Sequence, residues 1–220
     1  MKRVLVIGSS GQAHVVIDTL EQHDDWQIVG LADSFKPAGP TALGYDILGT
    51  VEDLPTLVRV HRIDAIFVGI GDNWTRGRIS REVSAAIPGI EFATAVHPSA
   101  QVARKTRIGP GAIIMAGAIL MPAAEVHQGA MVGTGVSLDH DSVLEEYASL
   151  APGAVTGGNV RIGAYTAIAL GARVIHGISI GSQSVIGAGS TVLADVPANS
   201  VAYGTPAKVV RQRGPSDRYL

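Results

Sequence analysis

From residue 96 to residue 192 an aliphatic residue recurs at every sixth position, and no insertion breaks the spacing. An α-helix repeats every 3.6 residues and a half-buried strand every two, so neither element produces a period of six. A short repeat kept over about a hundred residues predicts a solenoid, whose coils bury their aliphatic residues against one another. Thr156 is the one departure from the series, which comprises Val96, Val102, Ile108, Ile114, Leu120, Val126, Val132, Leu138, Leu144, Leu150, Thr156, Ile162, Ile168, Val174, Ile180, Ile186 and Val192.

The residue after each aliphatic position is often small, which indicates a turn. Small residues suit the tight turns between very short strands, because bulk there, or a Cβ at positive φ, is costly. We therefore expect turns at Gly109, Gly133, Gly157, Gly163, Gly181 and Gly187, and at Ala103, Ala151 and Ala169.

The first part of the chain follows a different pattern. Apolar runs predict strands at residues 4–7, 27–32 and 65–70, and apolar residues at helical spacing predict helices at 15–20 and 75–86. Strands that alternate with helices predict a small parallel, Rossmann-like α/β sheet.

Three segments follow from these two patterns. We expect an α/β domain over residues 1–92, a coil domain over residues 93–197 and a C-terminal extension over residues 198–220. The tail from Gln212 to Ser216 is expected to be poorly ordered, as chain termini often are.

The repeat of an aliphatic residue followed by a small one resembles the hexapeptide-repeat acyltransferases. The resemblance implies a left-handed parallel β-helix, in which three hexapeptides form one triangular coil and residues eighteen positions apart stack directly. Such a coil departs from the usual right-handed crossover between parallel strands. A β-helix that serves only as a fibre or an adhesion surface is the alternative.

An α/β domain before the coils makes the resemblance narrower. The chain resembles the bacterial sugar acetyltransferases that include the sialic-acid O-acetyltransferase group and the nucleotide-4-amino-sugar N-acetyltransferases. The resemblance implies acetyl-CoA as co-substrate and a homotrimer whose acetyl-CoA cleft lies between adjacent subunits. The motifs that carry it span nearly the whole chain: the turn from Gly8 to Gly11, Gly30-Leu31-Ala32-Asp33, Leu48-Gly49-Thr50, Gly69-Ile70-Gly71-Asp72-Asn73, Asp139-His140-Asp141, Ala151-Pro152-Gly153-Ala154, Gly157-Gly158-Asn159-Val160 and Gly204-Thr205-Pro206-Ala207-Lys208.

His140 is the first candidate catalytic residue. It is the third residue of its hexapeptide, so the spacing places it at or beside a corner of the prism, where a side chain can point outward. Transfer of an acetyl group from a thioester to an amine needs a base, and neutral imidazole suits that work near pH 7. Either flanking carboxylate, Asp139 or Asp141, could orient the ring. The resemblance implies that His140 is the general base; an exposed histidine without a role is the alternative.

Gly158 lies eighteen residues after His140, and we expect it to stack one coil above. A bare backbone N–H at that place could donate to the oxyanion of a tetrahedral intermediate, and the resemblance assigns it to the acetyl carbonyl. A tight turn with no such role is the alternative. The pantetheine of the coenzyme is expected to run along the coil edge, so the predicted acetyl-CoA-binding residues are Gly158, Leu170, His176, Ala188 and Lys208, although Lys208 could equally be a solvated lysine.

A metal site is not expected. The hexapeptide-repeat carbonic anhydrases bind zinc through histidines that include a His-x-x-x-x-His pair, a spacing that this chain lacks. His140 and His176 are two coils apart, about 9–10 Å at roughly 4.8 Å per strand. A single zinc ion, with bonds near 2 Å, could not join them within one column.

The glycine turn before the first predicted helix is a candidate phosphate site, because free N–H groups and the helix dipole favour an anion there. Asp33 ends the second strand and could accept a hydrogen bond from a ribose or a base, and Gly71 and Asp72 follow the third strand at the same sheet edge. The resemblance implies that this domain binds the nucleotide of the sugar substrate. The predicted substrate-binding residues are Gly11, Gln12, Ala13, His14, Asp33, Gly71 and Asp72; a structural role for the glycines is the alternative.

Three positions depart from the family pattern. Gln12 and Ser149 stand where the family often has a histidine, and Gly133 stands where an asparagine is common. All three are expected to touch the acceptor sugar or the acetyl group, which leaves the identity of the acceptor open.

Composition excludes several functions. Charged residues make up 16% and hydrophobic residues 46% of the 220 residues, which favours additional burial between subunits. The net charge of −2, without a cluster of Lys and Arg, argues against nucleic-acid binding. The absence of cysteine excludes disulfides and thiolate catalysis. No apolar run reaches about 18 residues, and the first residues lead directly into a strand, so we expect a cytoplasmic protein.

The sequence therefore predicts an acetyl-CoA-dependent N-acetyltransferase. Its expected acceptor is the 4-amino group of a nucleotide-linked 4-amino-4,6-dideoxy sugar in bacterial glycan, O-antigen or lipopolysaccharide biosynthesis. O-acetylation of a sugar such as sialic acid is the alternative within the class, and a non-catalytic sugar-nucleotide binding protein is the alternative outside it. The sequence does not distinguish UDP, GDP and dTDP.

Overall fold

The N-terminal part of the chain is a sheet with helices on both faces. A computed structural model describes residues 1–41, 44–214 and 217 of the chain. The elements described before the coils are β1 (Lys2–Ile7), α1 (Gly11–Glu21), β2 (Trp26–Ala32), β3 (Gly39–Pro40), β4 (Asp46–Gly49), α2 (Leu54–His61), β5 (Ala65–Val68), α3 (Asn73–Ala86) and β6 (Glu91–Phe92). The strands join in the order β3-β4-β2-β1-β5-β6, and every pair is parallel except β3 with β4.

The central strand β1 is buried on both of its faces. Val4 and Val6 point towards a cluster that includes residues of α1, whereas Leu5 and Ile7 point towards a cluster formed by α2 and α3. This alternation follows from the two-residue period of a strand. The continuous apolar run is therefore a parallel strand covered on both sides, and the predicted α/β sheet is confirmed.

The coils follow the predicted period without exception. Seventeen two-residue strands are described, and each ends at a position of the six-residue series: β7 (Ala95–Val96), β8 (Gln101–Val102), β9 (Arg107–Ile108), β10 (Ile113–Ile114), β11 (Ile119–Leu120), β12 (Glu125–Val126), β13 (Met131–Val132), β14 (Ser137–Leu138), β15 (Val143–Leu144), β16 (Ser149–Leu150), β17 (Val155–Thr156), β18 (Arg161–Ile162), β19 (Ala167–Ile168), β20 (Arg173–Val174), β21 (Ser179–Ile180), β22 (Val185–Ile186) and β23 (Thr191–Val192). Each strand pairs in parallel with the strand eighteen residues away, as Ile114 does with Val132.

The coils form a left-handed parallel β-helix with three faces, as predicted. Face 1 contains β7, β10, β13, β16, β19 and β22; face 2 contains β8, β11, β14, β17, β20 and β23; face 3 contains β9, β12, β15, β18 and β21. We name the three edges by the faces they join, in chain order: edge 1–2, edge 2–3 and edge 3–1. The aliphatic series fills the interior. Thr156 is buried there too, and its Oγ1 accepts a hydrogen bond from the Asp139 backbone N–H at 3.1 Å.

Of the two reasons predicted for the small residues after the aliphatic positions, one applies to the glycines there. A Cβ on Gly163 would lie 2.4 Å from the backbone nitrogen of Ser182, and one on Gly181 would lie 2.3 Å from that of Ala198. Close approach of the next coil therefore excludes a side chain. The predicted cost of bulk is therefore confirmed for these glycines, whereas positive φ occurs two positions later, as at Gly111 (φ 71°), and is not the reason.

A hairpin at the C-terminus extends face 1. β24 (Ser200–Gly204) pairs in parallel with β22, and β25 (Ala207–Gln212) pairs with β24 in antiparallel fashion. The prediction of a disordered tail is wrong for its first two residues, because Gln212 ends β25 and Arg213 is 8% exposed and donates to Gln183 O at 2.8 Å. Pro215 and Ser216 lie outside the described residues. In the described part of the chain, no helix has the length and apolar character needed to cross a membrane.

Candidate active site

His140 lies in the turn between β14 and β15, on edge 2–3 of the prism, with its side chain half exposed. Its Nδ1 donates to Asp141 Oδ2 at 2.8 Å, whereas its backbone N–H donates to Asp139 Oδ1 at 2.7 Å. The two flanking carboxylates therefore differ in function: Asp141 orients the ring, and Asp139 stabilises the turn. Asp141 has a left-handed backbone (φ 57°), a conformation in which Asp is enriched.

The carboxylates also set the electrostatics of the ring. The hydrogen bond with Asp141 raises the pKa of His140; desolvation opposes this, and the charges of Asp139 and Asp141 reinforce it. Because a carboxylate oxygen only accepts, Nδ1 carries the proton and Nε2 keeps its lone pair in the neutral ring. The turn therefore holds a basic nitrogen in one tautomer, as general-base catalysis requires.

Gly158 lies one coil above His140 on the same edge, as predicted. A Cβ at Gly158 would lie 2.4 Å from both Cε1 and Nε2 of the imidazole, so only glycine leaves room for the ring. Among the described residues, the backbone–backbone hydrogen bonds between coils do not use the N–H at this position of the hexapeptide. Proline occupies the equivalent place at Pro110, Pro122 and Pro152, and among the described residues the Gly158 N–H has no acceptor. A basic nitrogen and an available N–H donor therefore lie side by side.

A cavity of about 560 Å³ opens beside the carboxyl ends of β1 and β2. It lies where parallel α/β sheets usually bind their ligands, at the carboxyl edge of the strands. The residues that line it are Ile7, Gly8, Ser9, Ser10, Ala32, Asp33, Ser34, Phe35, Lys36, Val51, Glu52, Ile70, Thr75, Arg78, Ile79 and Glu82.

Asp33 is the buried anion of this cavity. Its Oδ2 accepts from Ser9 Oγ at 2.6 Å, and its Oδ1 accepts from the Phe35 backbone N–H at 2.9 Å. Burial alone would raise the pKa of Asp33, but the hydrogen bonds from Ser9 and Phe35 and the charge of Lys36 outweigh it and hold the pKa below its ordinary value. Asp33 is therefore a fixed, ionised acceptor.

Comparison with known proteins identifies the family. Residues 3–83 match the family model of the PglD N-terminal domain. PerB from Caulobacter crescentus, solved with CoA and GDP-perosamine, is 33% identical, with a TM-score of 0.89 over 96% of this chain and 98% of that chain. The chain belongs to the hexapeptide-repeat sugar N-acetyltransferases.

Two further solved members have the same architecture. A histidine-to-alanine mutant of the GDP-perosamine N-acetyltransferase from Caulobacter crescentus, in complex with CoA and GDP-perosamine, is 32% identical, with a TM-score of 0.90 over 96% of this chain and 98% of that chain. The acetyltransferase domain of PglB from Neisseria gonorrhoeae FA1090, in complex with acetyl coenzyme A, is 28% identical, with a TM-score of 0.86 over 95% and 99%. The similarity therefore extends over both parts of the chain.

Several residues predicted to bind substrate in this sugar N-acetyltransferase do not line the cavity. Ala13 is fully buried in the core of the α/β domain, and His14 is exposed on α1. Asp72 caps α3, since its Oδ1 accepts from the Thr75 N–H at 2.8 Å, and Gly71 O accepts from Arg76 at 3.0 Å. Gly11 and Gln12 also lie outside the lining. Of the seven predicted residues, the cavity contains Asp33.

The cavity contains residues that the sequence patterns did not single out. Phe35 is 97% exposed, which is unusual for a phenylalanine, and it stands next to Lys36 in the loop after β2. Arg78 and Glu82 extend from α3 and form an ion pair at 2.6 Å. The sequence did contain a signal for this loop: an aromatic residue and a basic residue, Phe35 and Lys36, follow Asp33 just after β2.

The predicted coenzyme-binding residues of the family site do not lie on one edge. His176 is exposed on edge 2–3 above Gly158, but Leu170 and Ala188 lie on edge 1–2, after β19 and β22. Lys208 is exposed on β25, beside face 1. Residues share an edge when they are eighteen apart, and Leu170 follows Gly158 by only twelve. The predicted path along one coil edge is therefore wrong, whereas the binding of the coenzyme by these residues stays a prediction.

Two of the departures from the family pattern have structural explanations. Ser149 Oγ accepts from Asn73 Nδ2 at 3.0 Å, so it joins the coils to the α/β domain instead of facing His140. Gly133 is required by packing, since a Cβ would lie 2.7 Å from Leu150 O. Among the described residues, no group of three or more His, Cys, Asp or Glu side chains is arranged to hold a metal ion.

Proposed function

We propose that the protein is an acetyl-CoA-dependent N-acetyltransferase that acts on the 4-amino group of a nucleotide-linked 4-amino-4,6-dideoxy sugar. The observation that carries the proposal is the pairing of His140 Nε2 with the bare Gly158, with Asp141 on the opposite ring nitrogen. The complexes of related enzymes with CoA and GDP-perosamine support it.

The catalytic residues are His140, Asp141 and Gly158, each with one task. His140 Nε2 accepts a proton from the amine as its nitrogen attacks the thioester carbonyl. The Gly158 N–H donates to the oxygen that becomes negative in the tetrahedral intermediate, and the Asp141 carboxylate stabilises the imidazolium. When the C–S bond breaks, the imidazolium returns the proton to the thiolate of CoA. Asp139, which was predicted from the sequence to be catalytic, instead stabilises the turn by accepting a hydrogen bond from the His140 backbone N–H.

The nucleotide occupies the cavity around Asp33 in this proposal. Phe35 offers an exposed ring face on which a base can stack. Asp33, held ionised, accepts from a ribose hydroxyl or a base N–H, and Lys36 and Arg78 bring positive charge for a diphosphate. The start of α1 adds free backbone N–H groups at the same side.

We infer a homotrimer from the way in which the three faces of the prism are covered. On face 1 the outward residues Ala95 and Ile113 are buried with the α/β domain, whereas face 3 presents the ion pair of Arg107 with Glu125 to solvent. Face 2 instead leaves aliphatic side chains uncovered: Ile119 is 40% and Val155 is 42% exposed. Three prisms packed side by side through face 2 would bury this surface.

Such a trimer also completes the active site. Within one chain, His140 lies on edge 2–3, whereas the α/β domain is attached at face 1 and edge 3–1 through residues such as Tyr147. The catalytic edge borders face 2, which the trimer places against the next subunit. We infer that the sugar nucleotide bound to one subunit reaches His140 of a neighbour, and that acetyl-CoA lies between the two prisms.

The division of labour along the chain follows from the same proposal. Residues 1–92 bind the sugar nucleotide, residues 93–197 carry acyl transfer, and residues 198–220 extend the coils, where Lys208 can meet a phosphate of the coenzyme. We place the enzyme in the cytoplasm, where acetyl-CoA and nucleotide sugars are made, and its product in bacterial glycan or lipopolysaccharide biosynthesis.

The deciding experiment incubates the protein with acetyl-CoA and GDP-perosamine, or the UDP- and dTDP-linked 4-amino sugars, and measures release of thiol and the mass of the product. One added acetyl group that resists mild hydroxylamine is an amide and supports the proposal. An acetyl group that hydroxylamine removes is an ester and favours O-acetylation. Binding of nucleotide sugars with no thiol release from any of them would leave a non-catalytic binding protein.

A further inference from the structure

A buried arginine connects the two parts of the molecule. Arg76, on the first turn of α3, is 1% exposed. Its guanidinium donates to the backbone oxygens of Gly129 at 2.7 Å and Tyr147 at 2.9 Å, which belong to successive coils on edge 3–1. It also donates to Ile70 O and Gly71 O, both at 3.0 Å, at the end of the sheet. One side chain therefore binds the loop after β5 to two coils.

Asn73 extends this connection to the next coil. Its Nδ2 donates to Ser149 Oγ at 3.0 Å and to Thr166 O at 3.2 Å, and its Oδ1 accepts from Arg76 Nη2 at 2.8 Å. Both side chains of the network are buried, where each hydrogen bond is stronger than in water and its geometry is fixed by its neighbours.

A glycine in α3 allows the close approach that this network needs. A Cβ on Gly77 would lie 2.5 Å from Cε1 of Tyr165. The Tyr165 ring stacks on that of Tyr147, with centroids 5.3 Å apart, and its hydroxyl accepts from Arg81 at 2.6 Å. The tyrosine is therefore held between α3 and the coil below, so an added methyl group at residue 77 would push the helix away from the edge.

The same helix forms a wall of the nucleotide cavity. Thr75, Arg78, Ile79 and Glu82 line the cavity from α3, and Ile70 lines it from the loop that Arg76 holds. Any displacement of α3 relative to edge 3–1 is therefore a displacement of the cavity relative to the coils.

These contacts lie at nearly the same height along the prism axis as His140. Tyr147 follows His140 by seven residues, less than half a coil. At about 4.8 Å per coil, the two positions differ by about 2 Å along the prism axis. Rotation about a threefold axis parallel to the prism moves no atom along that axis. The contacts on edge 3–1 therefore fix the height of the cavity in one subunit relative to His140 of its neighbour.

We propose that Asn73, Arg76 and the contact of Gly77 with Tyr165 form a positioning clamp, which sets the height of the sugar-nucleotide cavity against the catalytic histidine of the adjacent subunit. The proposal rests on the proposed function and its trimer. The clamp residues touch no substrate; they act through α3, and their effect is on where the acceptor amine arrives.

The test is a double-mutant cycle with Gly77→Ala and Tyr165→Ala. A misplacement of about 1 Å can reduce turnover by about 100-fold, so we expect Gly77→Ala to lower kcat by about 10- to 100-fold. The dissociation constants of GDP-perosamine and acetyl-CoA should stay within about twofold, because neither site is altered internally. Tyr165→Ala in the Gly77→Ala background removes the ring that the methyl group strikes, and it should restore kcat by about tenfold.

Ser84→Thr is the matched control, since it adds one carbon to the same helix at an exposed position and should leave kcat unchanged. Arg76→Lys and Arg76→Met give a graded series, with the larger loss of kcat for Met; sedimentation and thermal unfolding establish that each variant is folded and trimeric. Full kcat in Gly77→Ala, a loss confined to substrate affinity, or no rescue by Tyr165→Ala would overturn the clamp alone. No acetyl transfer by the wild-type protein would overturn the proposed function and the clamp with it.

Discussion

At the scale of single residues, the site depends on the asymmetry between two carboxylates that flank one histidine. Asp141 bonds the ring of His140, whereas Asp139 bonds the backbone N–H. A sequence shows that both are adjacent to the histidine but not which of them reaches the ring. In the structure it is Asp141, whose backbone is left-handed (φ 57°), that reaches Nδ1.

Replacement of His140 by Ala or Asn should lower kcat by about 10²–10⁴, the range for loss of a general base. The affinity for the nucleotide sugar should change little, because the cavity around Asp33 lies in another part of the chain. Steady-state kinetics and calorimetry check the two quantities separately. Turnover close to that of the wild type would exclude His140 as the base.

The pH dependence tests the role of Asp141. An imidazolium cannot accept a proton, so activity should be full above the pKa of His140 and fall as the pH drops through it. Asp141→Asn removes the carboxylate charge and replaces a charge-assisted hydrogen bond by a weaker neutral one, so the acid limb of kcat/KM should move to lower pH. The plateau should also be lower, because the asparagine amide can donate to Nδ1 and then no longer holds one tautomer.

Asp139→Asn is the matched control for that profile, since it removes a similar charge but no bond to the ring. We expect a smaller shift of the acid limb in the same direction. An equal shift in both variants would mean that charge alone, and not the hydrogen bond, sets the pKa of His140.

At the scale of elements, the coil has two kinds of glycine with different tolerances. Gly163 is excluded from carrying a side chain by the backbone of Ser182, whereas Gly171 has a positive φ (63°) with no heavy atom within 4 Å of the point that a Cβ would occupy. Ala123 adopts the same left-handed conformation (φ 62°). Contact with the next coil, not the sign of φ, should therefore decide the cost of a methyl group.

We accordingly expect Gly163→Ala to destabilise the protein by about 3 kcal/mol, the upper part of the range for overpacking. Gly171→Ala should cost about 1 kcal/mol, near the lower limit for one left-handed residue. Denaturant unfolding of the two variants measures the difference, and equal losses of stability would contradict it.

The elements also show what a single sequence can predict. The six-residue period was sufficient for all the coil strands described, because one side chain per face must enter a narrow interior. The stacking of Gly158 on His140 followed from the same period. Two-residue strands such as β3 and β6 leave no periodic trace, so they were missed.

The cavity that we propose as the nucleotide site was the harder part to predict. Its walls come from the loop with Phe35 and from Arg78 and Glu82 on α3, which only tertiary packing brings together. Asp72 has a side chain that could bind a ligand, but it caps the N-terminus of α3. Sequence spacing alone does not distinguish a capping aspartate from a ligand-binding one. The same limit applies to Ser149, which bonds Asn73 across the domain boundary.

At the scale of the whole molecule, the three faces of the prism divide the surface by function. Face 1 is covered by the α/β domain and extended by the C-terminal hairpin, face 3 carries an exposed ion pair, and face 2 exposes aliphatic side chains. Since the catalytic edge borders face 2, association of subunits and assembly of the site should be a single event.

Val155→Asp, at the exposed position of β17 on face 2, should therefore dissociate the proposed trimer and abolish acetyl transfer together. Burial of an unpaired carboxylate between subunits is strongly unfavourable. Sedimentation should then give a chain of 22.7 kDa. Val60→Asp is the matched control, because Val60 is 62% exposed on α2, and it should remain trimeric and active. A wild-type protein that sediments as a monomer at micromolar concentration would contradict the shared site.

The backbone N–H at the third position of a hexapeptide takes no part in the backbone hydrogen bonds between coils, and this has an evolutionary consequence. Proline at Pro110, Pro122 and Pro152 leaves the turn without an N–H donor, whereas glycine at Gly158 leaves a donor available. The path of the coil is the same in both cases. A scaffold turn and a reactive turn are thus separated by one side chain and not by a change of fold. Ancestral prisms without activity could have acquired an oxyanion donor by substitution alone, and the coils above and below would have needed no adjustment.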